Sequence, residues 1–97
     1  MRKILHYTLA MMALSTTLGV QASGKSVYDS LGCSSCHGID GKPATPAYPA
    51  LAGKDVTWFV KQLKDFQSSV RKDPTMNAMA PMVVGYEQAI ADYLSKQ

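Results

Sequence analysis

Between positions 38 and 53 the chain carries Gly38, Gly41, Pro43, Pro46, Pro49 and Gly53. Prolines remove main-chain donors and fix φ, while glycines leave the helical and extended basins at little cost, so no regular element runs through this stretch. It is predicted to be a long irregular loop. Connections between helices are usually about 2–8 residues, so a loop of this length needs a surface other than helix contacts to order it.

The flanking sequence has helical spacing. Val27, Tyr28 and Leu31 predict a short helix from Lys25 to about Cys33, with Gly32 and Gly38 bracketing the region where it gives way. Asp55 reads as an N-cap, after which Val56, Phe59, Val60, Leu63 and Phe66 line one face while Lys61, Lys64 and Asp65 fall elsewhere as a solvated face. Arg71, Lys72, Asp73 and Pro74 open a second connection that carries the methionines as far as Gly85, and Pro81 argues against a continuous helix there. Tyr86, Ala89, Ile90, Tyr93 and Leu94 then predict a last helix, expected to pack against the first. No alternation of period two appears, so the predicted fold is all-α, with three main helices and long loops.

The N-terminus places Met1-Arg2-Lys3 before an apolar stretch from Leu9 to Val20 and then Val20-Gln21-Ala22. This is the order of a secretory signal, with cleavage expected after Ala22 and one domain over residues 23–97. Ser15, Thr16 and Thr17 interrupt a stretch shorter than the ~20 apolar residues of a spanning helix, so no membrane span is expected after cleavage. Losing Arg2 and Lys3 leaves eight basic against seven acidic residues. Without a basic face carrying stacking or groove-reading elements, nucleic-acid binding is set aside. Cleavage also removes His6, so the ligand search narrows to His37, Met76, Met79 and Met82. A domain this small usually depends on a disulfide, a metal or a cofactor.

Cys33-Ser34-Ser35-Cys36-His37 offers that staple, because Cys-x-x-Cys-His is the attachment signal for c-type haem. Residues three apart share one side of a helical turn, so Cys33 and Cys36 can each form a thioether with one porphyrin vinyl group. His37 then follows as an axial ligand of the iron. A thioredoxin-like pair would want a βαβ context that the sequence lacks, and a zinc site would need about four ligands. A thioether at the sixth position would stabilise ferrous iron, and three methionines are available, each of which could equally be core filler. Arg71 and Lys72 could neutralise a haem propionate or meet an acidic partner.

Taken in order, Cys33-Ser34-Ser35-Cys36-His37-Gly38-Ile39-Asp40-Gly41, Tyr48-Pro49-Ala50-Leu51-Ala52-Gly53, Trp58 to Phe66, Asp73-Pro74-Thr75-Met76 and Ala91-Asp92-Tyr93-Leu94 resemble the class I c-type cytochromes of the small bacterial kind. The likeness extends to the units of two-haem periplasmic cytochromes. It covers residues 26 to 95 and departs from the pattern at Val83-Val84-Gly85-Tyr86. The resemblance implies the class I cytochrome c fold around one covalent haem c, His/Met ligation of its iron, and a periplasmic carrier of single electrons rather than an enzyme. It picks Met76, which precedes Met79-Ala80 by three positions, as the distal ligand, with Met79 as the alternative. It also implies that the Pro49 carbonyl accepts a hydrogen bond from His37, and that Trp58 touches a haem edge or propionate. The expected partners are other redox proteins, met by a monomer or weak dimer. A haem sensor, a peroxidase-like enzyme with a labile sixth ligand, or an electron-entry subunit of a respiratory complex are the rival functions.

Overall fold

A computed structural model describes residues 23–97. The expected signal, residues 1–22, lies outside the described residues. Among the described residues five α-helices follow one another: α1 (Gly24–Ser30), α2 (Cys33–His37), α3 (Val56–Gln67), α4 (Pro74–Met79) and α5 (Glu87–Ser95), with 3-10 turns at Ile39–Gly41 and Ala80–Val83. There is no strand among the described residues, and no helix among them is long and apolar enough to cross a membrane.

The first predicted helix divides in two. Ser23 caps α1 by accepting the Ser26 amide at 3.1 Å, but Gly32 enters the left-handed region at φ +81° and ends the run. Cys33 therefore begins a helix of its own instead of closing the first one. The methionine stretch also differs from the expected loop. Asp73 accepts the Met76 amide at 2.8 Å and Pro74 occupies the first helical turn, where its missing donor costs nothing. Thus Asp73-Pro74 starts α4, and Pro81 lies in the 3-10 turn that follows it.

Asp55 does cap α3, accepting the Trp58 amide at 3.1 Å. The apolar faces of α1, α3 and α5 meet in one core of Val27, Tyr28, Phe59, Val83, Ile90, Ala91 and Leu94, with Cys33, Leu51, Val56 and Leu63 packed against it. Each large apolar side chain buried there stabilises the fold by about 1.5–3 kcal/mol. α1 and α5 pack so closely that a Cβ on Gly24 would lie 1.9 Å from the Ala89 carbonyl oxygen. The Tyr28 and Tyr93 rings meet at 5.8 Å across the same contact.

The breaker-rich loop is fastened at both ends. The Leu51 and Ala52 amides donate to the Gly41 carbonyl at 2.8 and 3.1 Å, and the Gly53 amide donates to the Leu94 carbonyl at 2.9 Å. Between Ala44 and Ala50, among the described residues, no amide donates to a main-chain carbonyl.

Candidate functional site

Cys33 and Cys36 lie one turn apart on α2, both half-buried. Gly32 opens that turn and Gly38, at φ +84°, closes it. A Cβ at Gly38 would lie 1.9 Å from the Lys42 carbonyl oxygen, so the chain folds back on itself immediately after the motif. Tyr28, 1% exposed, donates its hydroxyl proton to the Gly38 carbonyl at 2.7 Å and fixes the backbone directly after His37. Burial, with the nearby Cys33 thiol adding to it, pushes Tyr28 up to about 12, so it stays a donor. Asp40 adopts φ +58°, a region Asp tolerates, and its carboxylate accepts the Tyr93 hydroxyl with the Lys25 ammonium 3.8 Å away.

His37 Nδ1 donates to the Pro49 carbonyl oxygen at 3.0 Å. A carbonyl can only accept, so Nδ1 carries a proton, and in the neutral ring the lone pair is then on Nε2. The donor set is thus two thiols on one helical turn and an adjacent imidazole whose Nε2 is left available to a ligand. That set fits a haem attached by two thioethers and ligated by histidine. Burial pushes the Cys33 thiol up, and Asp29 and Cys36 add to the shift against the helix-end backbone amide. A protonated Cys33 is the reverse of the lowered thiol that a dithiol oxidoreductase uses for attack.

The methionines sit on a second structural unit. Met76 and Met79 are half-buried in α4, whereas Met82 is 56% exposed in the 3-10 turn. Asn77 Nδ2 donates to the Phe66 and Arg71 carbonyls, both at 2.9 Å, and its Oδ1 accepts the Asp73 amide at 2.8 Å. Gln67 Nε2 donates to the Ala80 carbonyl at 3.0 Å and to Glu87 Oε2 at 2.9 Å. Sequence reading did not single out Asn77, Gln67 or Glu87. The acid in the first turn of α5 was the one available signal.

Two further predicted contacts have protein neighbours. Trp58 meets Phe59 edge-on at 5.3 Å, with the Lys54 ammonium 5.6 Å from its ring. Arg71 Nη1 donates to Gln62 Oε1 at 2.7 Å, and its guanidinium lies 4.8 Å from the Phe66 ring.

The family model described as Cytochrome c matches residues 21–97. Cytochrome c-554(548) of Halomonas halodenitrificans is 36% identical over 69 residues, which cover 67% of this chain and 83% of that protein. The thiosulfate dehydrogenase electron acceptor of Stutzerimonas stutzeri is 35% identical over 88 residues, 80% of this chain and 41% of the relative. Cytochrome c4 of Pseudomonas aeruginosa is 30% identical over 91 residues, 93% of this chain and 44% of the relative. The chain spans less than half the length of the last two.

Proposed function

We propose, on the premise that this chain belongs to the cytochrome c family and so carries covalently bound haem c, that it is a periplasmic carrier of single electrons between redox proteins. When bound, the iron supplies a reversible one-electron change of valence. In this reading Cys33 and Cys36 would hold the porphyrin through thioethers, and His37 Nε2 and the Met76 sulfur would be the chain's ligands to its iron. With both of those ligands in place the iron would offer a substrate no open site, so the chain's own task would be to fix its ligands and let electrons pass.

The observation that carries the reading is the His37 hydrogen bond. By donating Nδ1–H to Pro49, the imidazole is held in the tautomer and ring orientation that direct Nε2 to a metal. Tyr28 supports the same turn through Gly38. The secretory pattern in residues 1–22 supports the periplasmic placement. One relative is named for accepting electrons from a dehydrogenase, which supports another redox protein as donor here.

The test is spectroscopic. The oxidised protein should show a sulfur-to-iron charge-transfer band that disappears in Met76→Ala and survives in Met79→Ala, and carbon monoxide should change the reduced spectrum little. A band that persists in Met76→Ala would move the ligand to Met79 or Met82. Ready carbon monoxide binding by the unaltered protein would favour a sensor or an enzyme instead.

A further inference from the structure

Glu87 is the buried charged side chain of the described residues, 9% exposed at the start of α5. A carboxylate in that position is costly unless it is fully hydrogen-bonded. Its partners are specific: Oε1 accepts the Gly85 amide at 2.8 Å and Oε2 accepts Gln67 Nε2 at 2.9 Å. Gln67 uses its second amide hydrogen on the Ala80 carbonyl at 3.0 Å. One amide and one carboxylate therefore tie three chain segments together: the end of α3, the residue directly after Met79, and the turn into α5. None of these hydrogen bonds reaches α2 or the loop that holds His37.

We propose that Gln67 and Glu87 are positioning residues that hold the α4 segment so that its methionine sulfur stays on the iron. The proposal rests on the reading that a methionine of this segment is the sixth ligand. An uncharged thioether is a weak ligand compared with imidazole or thiolate, so the surrounding chain decides how often it is in place. Ala80 follows Met79 and lies one helical turn beyond Met76, so fixing its carbonyl fixes the register of both. Asn77 anchors the front of the same helix to α3. Gln67 and Glu87 anchor its back.

Donor and acceptor counts make the clamp separable. Glu87→Gln leaves one oxygen to face two donors, the Gly85 amide and the Gln67 amide, so one bond is lost. Gln67→Met removes both Gln67 bonds at nearly constant volume. The exchange Gln67→Glu with Glu87→Gln rebuilds the 67–87 bond and the Gly85 bond, and leaves only the Ala80 carbonyl without its donor.

The three variants and the unaltered chain, all haem-loaded, should be compared for the sulfur-to-iron band and for carbon monoxide affinity of the reduced form. Haem content and helical circular dichroism serve as the readouts of folding. Gln67→Met and the exchanged pair are expected to weaken the band and raise carbon monoxide affinity about tenfold, which corresponds to about 1.4 kcal/mol, with parental helicity. Should Gln67→Met fail to fold, the isosteric Glu87→Gln decides. Parental band and affinity in all folded variants would overturn the clamp while leaving methionine ligation standing. An unaltered protein with no band would overturn methionine ligation and the clamp together.

Discussion

From Gly32 to Gly53 the chain is held chiefly by main-chain groups, whereas from Asp73 to Glu87 it is held chiefly by side chains. On the first side the fixed points are Gly32 and Gly38 in left-handed backbone and the carbonyls of Gly38, Gly41 and Pro49. On the second side they are Asp73, Asn77, Gln67 and Glu87. The turns of the first side admit few substitutions because their glycines have positive φ, and at Gly38 an added Cβ would also meet the Lys42 carbonyl. Side-chain bonds can be exchanged one at a time. In the proposed reading, the histidine side is therefore the fixed half of the site and the methionine side the half that sequence change can tune.

The largest effect should come from removing the attachment itself. Cys33→Ala with Cys36→Ala should yield a chain without haem and without stable helix packing, because the 38–53 loop loses the surface on which it orders. Circular dichroism during thermal unfolding checks this, and a cooperative, folded apoprotein would break the comparison at its root. Next in size is a pair of glycine substitutions. Gly38→Ala should cost about 3 kcal/mol, since its Cβ would meet Lys42 at 1.9 Å in a left-handed conformation. Gly85→Ala, at φ +93° with nothing within 4 Å, should cost only about 1 kcal/mol. Denaturant unfolding of the two haem-loaded variants measures the difference, and equal costs would remove the contrast between the two sides.

Smaller effects sharpen it. Asn77→Ala removes three hydrogen bonds and should cost about 2 kcal/mol, against about 1 kcal/mol for the single bond lost in Tyr28→Phe. The smallest effect concerns acid. Burial opposes the charge of Glu87, but Gln67, its own backbone amide, the Gly85 amide and Lys64 outweigh it and hold the carboxyl below its ordinary value of 4.5. A lowered folded pKa gives stability that is present above about 4.5 and lost as pH falls through the folded value. Glu87→Gln should therefore be less stable at neutral pH and show a flatter acid limb. An acid limb identical to that of the unaltered protein would show that Glu87 does not titrate with folding.

The sequence made some of these elements readable and hid others, for physical reasons. Asp55 and the apolar face from Val56 to Phe66 declare α3, because capping and period-3.6 burial are both local signals. The contact between the first and last helices was also readable from their apolar stripes. Pro74 misleads when taken as a breaker, since at the first turn of α4 it starts a helix. Gly32 divides the first helix because its left-handed φ interrupts a pattern that hydrophobic spacing alone would continue. Cys33, Cys36 and His37 are legible as one chemical unit. Gln67 and Asn77 are not, because each bonds to main-chain groups that only the tertiary fold brings near.

The most direct measurement is the mass of the denatured chain after maturation in a host able to ligate haem to protein. The account predicts a chain heavier by one haem, with neither cysteine open to alkylation. A chain of unmodified mass with two alkylatable thiols would contradict it.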